Sequence, residues 1–440
     1  MTLADRLAAL LDHLGVARAH VASQIPSDIA GLAAVHPERL GGVVLCAPVR
    51  LDPMPFAAVA DCILMIAGEY GPTAETVRRA WPRLPGAARL ILDNYEATGW
   101  SDVAADYPAE VAGRIADFLP RFAADVPPPG VAREGNHAGL TYRIDGTGPA
   151  LLLLPFFLAP SQWGPIVPRL AAQFTVVTLG GRHLGGVAML EARAQAPTYR
   201  AMFRTLVDLM DPLPGAAILD VGCGAGSLDR LLAQRLGDAA RITAMDANPF
   251  LLREAAALAQ AEGLAGRIDF VPGNAEALPF PDAAFDGVFS VTVIEECDAD
   301  RALAEMVRVV RPGGRVAVAV RAIDLPQWWN LELPATEIGA TIRTKVTPAP
   351  QSVGRGGVAD ASLYRRMRRA GLADPVCFPF LVTLDRPDSP IWHYRENHVL
   401  SLLTADELGI WQTAREAARA DGVLLGAHAL HCAVATKPPG

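Results

Sequence analysis

One ten-residue stretch, ILDVGCGAGS at Ile218–Ser227, constrains this chain more than any other. Apolar residues suited to a strand run up to Asp220, glycines follow at alternate positions (Gly222, Gly224 and Gly226), and a helical pattern begins at once over Leu228–Leu236. A strand, a tight turn and a helix in direct succession belong to a parallel α/β sheet, with the turn at the sheet's C-terminal edge. Glycine accepts the sharp backbone of such a turn and lets a ligand approach with no Cβ in the way. Several ligand-binding folds share this device, so the turn by itself does not choose among them. The next strand narrows the choice. Arg241–Asp246, RITAMD, ends in an acidic side chain placed to accept hydrogen bonds from both hydroxyls of a ribose.

Two further pieces follow, FVPGNAEALPFPDAAFDGVFS at Phe270–Ser290 and VVRPGGRVAVAV at Val309–Val320. Taken in this order and spacing, the four motifs resemble the class I S-adenosylmethionine-dependent methyltransferases, especially the ubiquinone/menaquinone-biosynthesis type. The resemblance covers roughly Tyr199–Thr436. It implies a Rossmann-like α/β domain over 198–437 with strand order 3-2-1-4-5-7-6 and a reversed last strand within GVLLGAHALHCAVATKP. It also implies S-adenosyl-L-methionine as methyl donor. By resemblance, Asp220 and the turn Gly222, Cys223, Gly224 and Gly226 face the methionine and ribose portions of the donor. Asp246 takes the ribose hydroxyls, Ala247 lies near the adenine, and Asn274 and Ala275 flank its edge. The family usually has Asp where this chain has Asn274; an amide oxygen still accepts a hydrogen bond from the adenine amino group. Asn is also a common turn former. Cys223 reads as a small space-filler between two motif glycines.

The acceptor side is less legible. Val291–Glu296, VTVIEE, ends the fourth strand where the family places residues that face the acceptor, and Glu295-Glu296 stands in place of its usual Glu-His pair. Either carboxylate can serve as general base for a hydroxyl or amine. The competing reading is that both merely favour the N-terminus of a helix over Ala299–Val310 through its dipole. Trp328-Trp329, in a loop after the fifth strand, reads either as the lining of an apolar acceptor pocket or as packing under a lid. His393, Tyr394 and His398 fall in an inserted helical stretch. His428 and His431 point to opposite faces of the last strand and so do not line one site.

Segment 1–126 alternates short apolar strands with helices, and Pro127-Pro128-Pro129-Gly130 opens a linker over 127–138. LADRLAALLDHLGVARAHV, HPERLGGVVLCAP and CILMIAGEYGP resemble the C-terminal half of an α/β-hydrolase, whereas 139–190 resembles the N-terminal strands of the same family. The order is inverted. The region is either a circular permutation or the remains of two truncated hydrolases. A permuted domain requires Ala150–Leu154 to pair in one sheet with Ala19–Ala22 and Gly42–Cys46. Hydrolase chemistry needs a G-x-S-x-G elbow and a histidine base. The elbow region reads VASQIPS with Ser23 and Ser27 but no flanking glycine, and no histidine occurs between His36 and His137. Trp100-Ser101-Asp102 occupies the stretch where the base belongs, and Pro155-Phe156 replaces the oxyanion loop. The segment reads as catalytically degenerate, serving structure or acceptor binding.

A length of 440 residues allows two or three domains. The net charge of −8 argues against a nucleic-acid-tracking surface, and Arg365, Arg366, Arg368 and Arg369 read as a solvated helix face. Six scattered cysteines with no C-x-x-C indicate neither a disulfide framework nor structural zinc, and no carboxylate–histidine cluster suggests another metal. The amphipathic, acid-containing N-terminus is no signal peptide, and the apolar run Ala150–Pro160 is too short to span a bilayer. The reading is therefore a cytoplasmic enzyme that methylates a small, apolar organic acceptor. A bifunctional hydrolase–methyltransferase and a non-catalytic scaffold are its rivals.

Overall fold

The apolar runs of the N-terminal half become eight strands of one sheet. The computed structural model describes residues 2–439 apart from 98–100, 158–159, 181–183, 238–239, 350–352, 355 and 388. It divides into two units, Met1–Ala188 and Met189–Gly440. The strands of the first are β1 (Ala19–Ser23), β2 (Leu40–Cys46), β3 (Ile63–Tyr70), β4 (Ala88–Glu96), β5 (Glu134–His137), β6 (Leu140–Asp145), β7 (Ala150–Leu153) and β8 (Thr175–Gly180). Their order is β4-β3-β2-β1-β7-β8-β6-β5.

β7 lies parallel to β1, with His20 opposite Leu151 and Ala22 opposite Leu153. The two N-terminal segments thus share one composite sheet, and each covers the apolar edge the other would expose. Asp125 ties the joint together. Its carboxylate accepts from the Ala17 and Arg18 amides at 2.8 and 2.9 Å, and its carbonyl accepts from the Ala150 amide at 2.8 Å. The expected linker 127–138 is shorter than its sequence suggests, because β5 already begins at Glu134. β2 is buried along its whole length. Val43 and Leu45 enter the core on one face, and Val44 and Cys46 the core on the other, as befits a strand covered on both sides.

The second unit contains β9 (Ala217–Val221), β10 (Arg241–Asp246), β11 (Ile268–Pro272), β12 (Phe285–Val291), β13 (Val310–Arg321), β14 (Trp328–Trp329), β15 (Ala373–Leu384) and β16 (Gly426–Thr436). Reading across the sheet gives β11-β10-β9-β12-β13-β16, with β15 pairing β16. β16 runs antiparallel to both neighbours, with Ala317 opposite Val434 and Phe380 opposite Leu430. This is the order 3-2-1-4-5-7-6 with a reversed seventh strand, the Rossmann-like class I methyltransferase sheet. Trp328 and Trp329, expected in a loop, form a two-residue strand against Ala427 and Gly426. The parallel strands β9, β12 and β13 again feed two cores, with Ile218, Phe289 and Ala317 on one face and Leu219, Val288 and Val318 on the other.

Candidate functional site

The glycine turn joins β9 to the helix Ser227–Leu236. Its first two amides, from Gly222 and Cys223, donate to the Met245 carbonyl at 2.7 and 2.9 Å, which fixes the turn beside the end of β10. Gly222 has φ +87°, and a Cβ there would lie 2.3 Å from Val293 Cγ2. Gly226, with φ +69°, is the N-cap residue, and no side chain caps the helix. The sequence therefore needs glycine here for backbone conformation and for space. The Gly224 amide donates to Asp246 Oδ2 at 2.8 Å, and the Asn248 amide donates to Oδ1 at 2.8 Å. Asp246 is thereby aimed along the turn at the C-terminal ends of β9 and β10. Its pKa is raised by burial, against the opposing pull of those amides.

Asp220 is buried at the end of β9, and its Oδ1 finds no hydrogen-bond partner among the described residues. Asp229, on the first turn of the helix, is fully buried, and neither of its oxygens has a hydrogen-bond partner among the described residues. Burial first, and then each other's presence, act on this pair. Asp220 is held well above the usual carboxylate range and Asp229 is pushed up to about 7. The glycine turn thus ends in a pair of buried acids with a deficit of hydrogen-bond donors. Asp229 was not singled out in the sequence, yet it shares a helix face with Leu232 and Ala233. An acid on that apolar face is the signal that marks it.

Burial, and then the charges of Asp229 and Asp220, push the Cys223 thiol well up, which disfavours its thiolate. Arg230, 3% exposed, braces the turn through Glu191 at 2.6 Å, Glu262 at 2.9 Å and the Ala225 carbonyl at 2.8 Å. Ser227 Oγ also donates to Glu191 at 2.6 Å. Ala247 is exposed beside Asp246, and Ala275 packs partly buried against the core. Asn274 is exposed, and its Oδ1 accepts from the Glu276 amide at 2.9 Å in a side-chain-closed turn.

On the acceptor side, Glu295 and Glu296 meet one cation. Arg321 at the end of β13 contacts Glu295 Oε1 at 3.1 Å and Glu296 Oε1 at 2.7 Å. Glu295 is fully buried with its pKa raised by that burial, while Glu296 is 42% exposed. The N-terminus of the next helix is capped by another acid. The helix Ala299–Val309 is capped by Asp298, whose carboxylate accepts from the Asp300 and Arg301 amides. Trp329 packs edge-on against Trp392 and Trp411, which makes it part of a core, and Trp328 is exposed. His431 bonds Asp324 at 2.7 Å, whereas His428 is buried and its Nδ1 has no hydrogen-bond partner among the described residues.

In the first unit, Ser23 Oγ is tied to Ile25, accepting from its amide at 2.9 Å and donating to its carbonyl at 3.1 Å. Gln24 fills the turn beside it, accepting from the Phe157 amide at 2.7 Å and donating to the Ala47 carbonyl. Ser27 stands exposed on the following helix. Asp102 is bonded by Gln162, while Trp100 lies outside the described residues. Among the described residues no group of three His, Cys, Asp or Glu side chains is placed to hold a metal, and no helix is long and apolar enough to cross a membrane.

Residues 219–318 match the family described as methyltransferase domain. The chain is 34% identical over 126 residues to the ubiquinone/menaquinone biosynthesis C-methyltransferase UbiE of Shewanella halifaxensis, covering 27% of this chain and 48% of that protein. It is 37% identical over 121 residues to the UbiE of Legionella pneumophila strain Paris, covering 26% of this chain and 46% of that one. The chain spans about half the length of the curated relatives it matches. Among solved structures, the YcgJ protein from Bacillus subtilis is similar at 17% identity and a TM-score of 0.37, covering 55% of this chain and all of that one.

Proposed function

We propose that this chain is an S-adenosylmethionine-dependent methyltransferase acting on a small organic acceptor. The observation that supports it most is the join of a glycine turn to two carboxylate-bearing strand ends inside a matched methyltransferase domain. The residues fit the donor. The turn is a cradle that side chains at Gly222 and Gly226 would fill, and Asp220 presents an unpartnered, buried oxygen toward a cationic, donor-rich ligand. S-adenosylmethionine supplies an activated methyl group on a positively charged sulfur.

The protein's task is then to position and to exclude water. Asp246 holds the ribose hydroxyls, and Asp220 with the backbone of Gly222, Cys223, Gly224 and Gly226 holds the amino-acid end. Ala247, Asn274 and Ala275 border the adenine, with Asn274 using the lone pair not given to the Glu276 amide. Glu295 and Glu296 fix the Arg321 guanidinium beside the acceptor space, and the more exposed Glu296 is the residue able to take up an acceptor's proton. The composite N-terminal sheet, with Ser23 tied into its own turn, serves structure in this reading and not hydrolysis.

Replacing Asp246 by alanine is expected to weaken binding of S-adenosylhomocysteine by about 1.5–3 kcal/mol, roughly ten- to over a hundredfold. Calorimetry on the full chain reads this directly. An unchanged affinity would remove Asp246 from the donor site, and no heat with folded wild-type protein would remove the donor altogether.

A further inference from the structure

The two buried acids at the glycine turn have little counter-charge of their own. Asp220 lies in β9 and Asp229 on the first turn of the helix Ser227–Leu236, and they are 2% and 0% exposed. Three of their four oxygens, Asp220 Oδ1 and both of Asp229, have no hydrogen-bond partner among the described residues. Arg230, the cation that acts on Asp229, is committed elsewhere, because its guanidinium meets Glu191, Glu262 and the Ala225 carbonyl. Asp246, at the end of β10, adds further negative charge, and its own oxygens are met by the Gly224 and Asn248 amides. The other titratable neighbours are Cys223 on the turn and Tyr199 on the helix Pro197–Met210. Burial raises the pKa of both, so both are neutral near pH 7.

Asp220 and Asp229 act on each other both as charges and as hydrogen-bond partners. Two ionised carboxylates in that position are acceptors facing acceptors and repel. One proton between them turns the same contact into a hydrogen bond. Burial favours keeping it: Asp220 is held well above the usual carboxylate range, and Asp229 is pushed up to about 7. A positive charge brought beside the pair favours the ionised form instead. S-adenosylmethionine and S-adenosylhomocysteine share their ammonium and carboxylate groups. They differ by one methyl group and one positive charge at sulfur, so only the donor brings that extra charge.

We propose that the Asp220–Asp229 pair keeps one proton while the donor site is empty or filled by the demethylated product, and releases it to solvent when the sulfonium donor binds. Asp229 thereby sets how strongly the site prefers donor over product. The inference rests on the methyltransferase reading. Asp229 acts through Asp220 and is a positioning residue. By linkage, donor affinity rises with pH where the pair titrates, whereas product affinity does not. Loss of the sulfonium on methyl transfer lets the pair take a proton back from solvent, and the product is then held less tightly than the donor was. Below neutral pH the preference narrows and the product competes better.

The test is calorimetry of S-adenosylmethionine and S-adenosylhomocysteine on the full chain, in buffers of different ionisation enthalpy, which counts the protons released. The ligands' own amino groups also titrate, and Asp229→Asn carries the same correction, so the comparison of wild type with this variant isolates the pair. Near pH 7 the donor should release about half a proton more than the product in wild type, and no such excess should appear in the variant. The wild-type ratio of donor to product affinity, divided by the variant's, should rise about tenfold between pH 6 and pH 8. Should the variant fail to fold, wild type alone decides: the excess must survive subtraction of the titration measured on the free ligands. Equal proton counts for the two ligands, or the same excess in Asp229→Asn, would overturn the proposal while leaving the donor site intact. Failure of folded wild type to bind either ligand would strike the methyltransferase reading, and the proposal with it.

Discussion

Replacing Gly222 by alanine should destabilise the second unit by about 2–6 kcal/mol, from the strain of a non-glycine residue at φ +87° together with overpacking of Val293. The added Cβ would meet Val293 Cγ2 at 2.3 Å, and Val293 lies two residues beyond the end of β12, so the clash has little room to relax. Any displacement of the turn also moves the Gly224 amide away from Asp246, and donor binding should fall with stability. Gly263 supplies the control. It has φ +74° but nothing within 4 Å of its would-be Cβ, so its alanine variant should show the conformational strain alone, about 1–3 kcal/mol. Urea unfolding followed for each unit separately is the appropriate measurement, because two units need not melt together. Equal, small losses in both variants would mean that the turn is not packed as described.

The second large effect concerns pH. Asp229 is fully buried, and its pKa is raised to about 7 from an ordinary 3.8, chiefly by desolvation. Between those values the folded state keeps a proton that the unfolded chain has released. Stability therefore is fully present below the unfolded pKa and is lost as pH rises through the folded one. Asp220, Asp246 and Arg230 are the charged neighbours that act on it, and Asp220 is raised in the same direction. Asp229→Asn removes the charge and offers an N–H to Asp220. The variant should be about 2–4 kcal/mol more stable than wild type at pH 8, with the gap closing near pH 4. Denaturant midpoints at both pH values decide it. A difference independent of pH would show that Asp229 does not keep its proton in the folded state.

The sheet of the second unit was legible because its signals are local. The strand–glycine–helix run at Ile218–Leu236 and the acid closing RITAMD depend on neighbours a few residues apart, and β9 and β10 stand where those runs predict. The composite N-terminal sheet was only half legible. The strands were readable one by one, but nothing within Ala150–Leu153 announces that its partner is Ala19–Ser23, some 130 residues earlier. The acceptor side was the least legible. Arg321 and His428 come from segments far apart in sequence, and that they line one cavity appears only on folding. Glu295 and Glu296 looked like a free pair in sequence, since the Arg321 that engages both is 25 or more residues away. His428 was set aside because it alternates with His431. The strand does separate them, and only His428 faces the cavity.

The most direct test of the donor site is hydrogen–deuterium exchange on the full chain with and without S-adenosylhomocysteine. The account predicts slowed exchange in the peptides that contain Gly222–Ser227, Asp246–Asn248 and Gly273–Ala275, with no change in the strands β1–β8 of the first unit. Protection confined to the first unit, or saturable binding that leaves the glycine turn unprotected, would contradict it.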